Sequence, residues 1–238
     1  MIKHLLPGLV IATLSCAQAG AQVPAPPPHA PPPHVPHSVP VSKSLAAPRP
    51  ERADFQGKSA SIETRRMADW VVASADNGSL SFIIIDKKAA EVFVFDSRGQ
   101  ILGASPALLG LAVGDDSAPG VGDKPLSAIP PKDRTTPAGR FNAFLAQMPG
   151  HNTLWVDYKN AISLHRVKGL PKDRRLDRLA SPTPADNRIS FGCINVPVDF
   201  FEGTVLPALT NKKAIVYVLP EVKPVQAFFA KYYDVASN

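Results

Sequence analysis

Cysteine is nearly missing from this chain of 238 residues, which has two, Cys16 and Cys193. Two cysteines cannot staple a small scaffold, and a disulfide-dense secreted fold is excluded. Long internal apolar runs are missing as well, which excludes a multi-span helical membrane protein. Clustered basic tracts are missing, although Lys and Arg exceed Asp and Glu to give a net charge of +6. That modest excess suits an anionic polymer, and no nucleic-acid partner is expected. Histidine is scarce outside the first forty residues, where only His151 and His165 occur. What is present is a hydrophobic fraction of 45%, enough for a packed core, and 26 prolines.

The first 21 residues have the features of a secretory signal peptide. Lys3 and His4 precede the mostly apolar Leu5–Ser15, and Ala17-Gln18-Ala19 and Ala19-Gly20-Ala21 are small-residue cleavage patterns. The expected location is therefore the periplasm or cell envelope. Leu14-Ser15-Cys16 also suits lipid attachment at Cys16, which would keep the N-terminus close to a membrane. Cleavage after Ala19 or Ala21 removes Cys16 and leaves Cys193 as the lone thiol of an exported chain. Such a thiol either pairs with another chain or does chemistry.

Residues 22–58 are expected to be a linker. Pro26-Pro27-Pro28 and Pro31-Pro32-Pro33 favour extended polyproline II, and there is little apolar content to bury. His29, His34 and His37 in it have chelating spacing but suit a solvated tract, and no metal or cofactor is expected. The globular part, 59–238, opens with helical periodicity over Ser61–Ser74. Short strands are expected at Leu80–Ile85, Glu91–Phe95, Ile101–Leu109, Arg140–Ala146, Leu154–Val156, Ala161–Leu164 and Ala214–Leu219. Helices are expected at Asp199–Leu209 and Val225–Tyr233. The pattern predicts a mainly β domain, monomeric, with a few flanking helices.

A cysteine nucleophile needs a base and oxyanion donors. His165 closes an apolar strand that can aim its imidazole, whereas His151 lies in the turn Pro149-Gly150-His151-Asn152. Gly192 before Cys193 allows a sharp backbone path, and the N–H groups of Gly192 and Cys193 can then point at an oxyanion. The same local pattern also fits a small buried residue at a bend.

Ser190-Phe191-Gly192-Cys193-Ile194-Asn195, with His165 upstream, resembles the catalytic signature of the L,D-transpeptidase (YkuD-like) family, and Thr136-Pro137-Ala138-Gly139-Arg140-Phe141 resembles a second family segment. The resemblance spans roughly Leu80–Leu219. It implies a β-sandwich or barrel in which Cys193 is the nucleophile and His165 its base, oriented by a backbone carbonyl such as that of Arg166. Gly192, Ser190 and Asn195 would shape the site. The substrate would be a peptidoglycan tetrapeptide stem, joined through a Cys193 thioester to an amine in a 3-3 cross-link. Two features depart from the family. Phe191 replaces the usual motif histidine, and Lys168–Asn187 is a long basic insertion, expected to be a lid. Arg174, Arg175 and Arg178 in it, with Arg188, are the expected substrate-binding cations. A water acceptor, giving a carboxypeptidase or hydrolase, and a non-catalytic wall-binding module remain as alternatives.

Overall fold

Alternating apolar residues with two buried faces organise the domain. The computed structural model describes residues 51–147, 152–168 and 171–237. The leader with Cys16, the tract carrying His29, His34 and His37, and His151 lie outside the described residues. Strands β1 (Phe82–Asp86), β2 (Glu91–Phe95) and β10 (Lys213–Val218) are buried on both sides, which explains their continuous apolar runs. Ile83, Ile85, Val92, Val94, Val216 and Val218 face one core, whereas Phe82, Ile84, Phe93, Phe95, Ile215 and Tyr217 face a second.

Helix α1 (Ile62–Ser74) closes that second core with Met67, Trp70 and Val71. Its N-cap is Ser61, whose hydroxyl accepts from Thr64 N–H at 3.1 Å. Thr64 in turn donates to Asp86 at 3.0 Å, tying the helix to the end of β1.

The main sheet also contains β3 (Ile101–Pro106), β5 (Gly139–Ala146), β6 (Thr153–Asp157), β7 (Ile162–Arg166) and β9 (Ile194–Val196). Its order is β3-β2-β1-β10-β5-β6-β7-β9. The pairs β1–β10 and β7–β9 are parallel and the others antiparallel. Just after β3, Leu108 exchanges two backbone hydrogen bonds with Asn195 of β9, at 2.8 and 2.9 Å. The two ends of the sheet are thus bridged, and the sheet is nearly closed like a barrel. A small parallel sheet, β4 (Leu109–Gly110) with β8 (Arg188–Ser190), flanks that seam. A second helix, α2 (Arg175–Ala180), lies in the segment between β7 and β8. After β9 a helical stretch runs through Val198–Phe200, the π-helical Phe201–Val205 and Leu206–Ala208.

Three expectations are corrected. The linker does not extend to residue 58. Ala53 N–H donates to Asp69 at 3.0 Å, and Phe55 is buried edge-on against Phe95 with ring centroids 5.2 Å apart. Ile101–Leu109 is two strands, because the chain turns from β2 towards β9 after Pro106. Val225–Tyr233 is not a helix. A single 3-10 turn, Val225–Ala227, follows Pro224. Phe229 and Tyr232 then reach Trp70, so that aromatic spacing reflects anchoring and not helical periodicity.

Candidate active site

Cys193 sits between β8 and β9, half-buried and not in a disulfide. Its loop is braced from below. Gly192 has φ +125°, and a Cβ there would lie 2.7 Å from both the Thr135 carbonyl and the Ile162 side chain. Glycine is therefore required on grounds of both conformation and space. Thr136, fully buried, donates its hydroxyl to the Gly192 carbonyl at 2.8 Å and accepts from Gly110 N–H at 2.9 Å. Thr136 heads the second sequence motif, and bracing the nucleophile loop is what its hydroxyl does. Ser190 Oγ donates to the Cys193 carbonyl at 2.6 Å and accepts from Gly192 N–H at 3.0 Å. The N–H of Gly192 is thus engaged within the loop and is not an oxyanion donor, which corrects the expectation for it. Phe191 carries the Arg134 guanidinium over its ring, 4.1 Å from the centroid.

On β7, alternate residues share a face. Ser163 and His165 therefore point the same way, and the pairing of His165 with Asn195 extends that face to β9. Ser163 Oγ donates to Cys193 Sγ at 3.5 Å, and Sγ lies 3.6 Å from the Ala161 carbonyl. Nothing in the sequence motifs singles out Ser163. Its position two residues before His165 on one strand is the signal that would have found it.

His165 Nδ1 donates to the Arg166 carbonyl at 2.8 Å. A carbonyl only accepts, so the proton sits on Nδ1 and the neutral ring presents a lone pair at Nε2. That Nε2 lies 3.4 Å from Asn195 Nδ2, and no direct hydrogen bond joins His165 to Cys193 among the described residues. Burial pushes the imidazole below the ordinary histidine range. The Arg166 carbonyl opposes this, and the charges of Lys168, Arg175 and Arg166 add to it.

The four expected substrate-binding arginines separate. Arg175 on α2 donates to Asn195 Oδ1 at 2.6 Å, and its Nε lies 3.4 Å from Asp173. Arg174 pairs with Asp177 at 2.8 Å on the surface. Arg178 donates to the backbone carbonyls of Asp173 and Asp186. Arg174, Arg178, Asp177, Ser181 and Asp186 line a cleft of about 220 Å³ that includes neither Cys193 nor His165. Arg188 is corrected outright. Its guanidinium is bound by Glu221 and by the Lys87 carbonyl at 2.9 Å, in a buried cluster with Lys87 and Asp115. Lys87 in that cluster donates to the Thr136 carbonyl at 3.0 Å, so the cluster underpins the brace of the nucleophile loop.

No protein-family model and no curated protein sequence matches the chain. Among solved structures it is similar to the helical cell shape determining protein Pgp2 from Campylobacter jejuni, at 16% identity and a TM-score of 0.39, covering 60% of this chain and 49% of that one. It is also similar to the catalytic domain of the E. faecium L,D-transpeptidase, at 14% identity and a TM-score of 0.37, covering 59% of this chain and 98% of that domain. A third similarity is to an L,D-transpeptidase from Xylanimonas cellulosilytica, at 11% identity and a TM-score of 0.35, covering 59% of this chain and 60% of that one. The chain thus spans about half the length of Pgp2. These overlaps are weak in shape and in sequence, and the chemistry has to be read from the residues of the site itself.

Proposed function

We propose that this protein is a cysteine acyltransferase of the cell envelope, an L,D-transpeptidase acting on peptidoglycan stem peptides. The observation that carries the reading is the lone thiol of the domain on a braced loop, beside a strand whose His165 is locked by the Arg166 carbonyl with Nε2 unprotonated. The motif resemblance supplies the substrate class, and the leader-like N-terminus supplies export to the periplasm or envelope.

In the first half-reaction Sγ leaves the Ala161 carbonyl and gives its proton to His165 Nε2. The thiolate attacks the carbonyl between the diamino acid and the terminal D-Ala. The tetrahedral oxyanion takes the N–H of Cys193, since that of Gly192 is occupied by Ser190. The C–N bond breaks, and the D-Ala amine leaves with the proton from His165. In the second half-reaction an amine from a neighbouring stem attacks the thioester and loses a proton to His165. The C–S bond breaks, and the proton returns to Sγ.

A second reading, a non-catalytic wall-binding module, is favoured by Phe191 in place of the motif histidine and by the Asn195 amide lying against Nε2. Incubation with tetrapeptide muropeptides and intact-mass analysis tests both readings. The expected result is an acyl adduct on Cys193, with 3-3 dimers among the products. Tripeptide product without dimers would assign water as the acceptor. No adduct with stem peptides or with a carbapenem would overturn the enzyme reading.

A further inference from the structure

Arg175 was expected, from sequence, to bind substrate, yet its guanidinium is turned inward. Arg175 Nη1 lies 2.6 Å from one end of the Asn195 side-chain amide. A guanidinium has no acceptor, so the atom it meets has to be the amide oxygen. The other end is then the NH2 group. It lies 3.4 Å from His165 Nε2 and 3.4 Å from the Cys193 carbonyl. Asn195 is buried, and Leu108 holds its backbone on one side while β7 pairs with it on the other. Little besides the amide flip is left free, and Arg175 decides the flip.

The consequence for His165 follows from donors and acceptors alone. With Nδ1–H on the Arg166 carbonyl, a donor facing Nε2 is satisfied only by a lone pair. A proton on Nε2 would face the Asn195 NH2 group, donor against donor. With the amide reversed, the oxygen would face Nε2 and would favour a proton there.

We propose that Arg175 is a positioning residue, which fixes the Asn195 amide and through it holds the resting His165 in its Nδ1–H tautomer, with the Nε2 lone pair unprotonated. The proposal rests on the acyltransfer reading for its catalytic meaning, but the hydrogen-bonding state of His165 can be measured without turnover. The charged groups around the imidazole are Arg166 and Lys168 from β7 and the segment after it, Arg175 from α2 with its partner Asp173, and Glu202 from the π-helical segment, which pairs with Arg166. Three of these are cations near the ring, and removal of Arg175 leaves two. Loss of its charge and release of the amide act in the same direction, so both raise the titration midpoint of His165.

The test uses the mature full-length protein, with the His165 imidazole resonances identified by their loss in His165→Gln. The wild type is expected to show the Nδ1–H tautomer and a midpoint below that of an ordinary histidine. Arg175→Ala should raise the midpoint, and at a pH below the raised midpoint acylation kcat should fall severalfold, up to about tenfold, with KM nearly unchanged. The low-pH limb of the rate profile should move up with the midpoint. Arg175→Lys keeps a donor and a charge and should restore most of both. Asn195→Asp puts an acceptor against Nε2 regardless of Arg175 and should raise the midpoint even if Arg175→Ala fails to fold. A raised KM with unchanged kcat and unchanged midpoint in Arg175→Ala would make Arg175 a substrate-binding residue and overturn the proposal. An unchanged midpoint in Asn195→Asp would overturn it too. Absence of turnover in a wild type that titrates as expected would count against the acyltransfer reading and not against this geometry.

Discussion

Arginine has a fixed charge, and its neighbours decide what that charge is for. The sequence reading makes both Arg188 and Arg175 substrate-binding cations. Arg188 instead neutralises Glu221 in the interior, and Arg175 instead holds Asn195. Arg188→Ala is predicted to leave the buried Glu221 carboxylate with Lys87 at 3.5 Å and the Gly114 N–H at 3.0 Å, both on Oε1, and to strip Oε2 of its guanidinium. The expected cost is about 3 kcal/mol of stability, read from urea denaturation, with KM for stem peptide unchanged. Cys193→Ala should abolish the acyl adduct while the melting temperature stays near wild type, because Sγ makes only long contacts of 3.5 and 3.6 Å. His165→Gln should slow acylation at least about a hundredfold, the scale of losing a general base. Composition made Cys193 and His165 candidates, as a lone thiol and one of two histidines in the domain, and the motif resemblance is what implied their roles. Ser163 was not legible, since a serine on a strand carries no signal until the strand's facing is known.

At the scale of elements, the long apolar strands were legible and the short ones were not. Strands β8 and β9 have three residues each, too few for any alternation to register. Both exist because of distant partners, Leu109 opposite Arg188 and His165 opposite Asn195. Helix α2 was read only as part of a lid, because its six residues carry two arginines and one buried side chain, Leu179. The brace by Thr136 belongs to this scale, since it joins β4, β5 and the nucleophile loop. Thr136→Val removes the donor to the Gly192 carbonyl and the acceptor for Gly110 N–H, both buried. The predicted loss is roughly 2 to 6 kcal/mol, about 1 to 3 for each of the two groups left unpaired. Acylation should slow in parallel, and Thr136→Ser should recover both. Thermal melts together with adduct formation rates check this. A melt that falls while the adduct rate holds would show that the brace supports the fold alone.

Across the whole molecule, the N-terminal edge and the buried charge cluster set its limits. A chain beginning at Arg52 keeps Phe55, whereas one beginning at Ser59 loses it along with its contacts to Phe93 and Phe95. The shorter chain is predicted to be less stable by about 3 to 5 kcal/mol, as for deletion of a buried phenylalanine, and calorimetry on the two chains measures it. Asp115 sets the acid limit. Burial pushes its carboxyl up, but Lys87 and the N–H groups of Lys223, Glu221 and Val222 outweigh this and hold it at about 2. Its native pKa lies below the unfolded value, so its contribution is complete above about pH 4 and is lost as pH falls towards 2. The size is on the order of 2 kcal/mol. Asp115→Asn should flatten the fall in stability between pH 4 and pH 2, as followed by circular dichroism.

By itself the sequence determined the mainly β class, the order of the long strands, the lone thiol and the two motifs around it. These depend on side-chain chemistry and on continuous apolar runs bounded by turn residues, which survive in a one-dimensional string. Only the tertiary structure decided which arginine serves the site and which the interior. The same holds for Phe55 belonging to the core, and for Gly192 N–H being occupied and so lost as an oxyanion donor. The arginines and Phe55 depend on partners at long sequence separation, Glu221 for Arg188, Asn195 for Arg175 and Phe95 for Phe55, whereas the Gly192 N–H is taken by Ser190, two residues away, on a loop whose path Thr136 holds. A charge, an aromatic ring or an amide has its preferences written in the sequence, but the partner that satisfies them is chosen by the closure of the sheet, which brings β9 against Leu108 and the chain leaving β3.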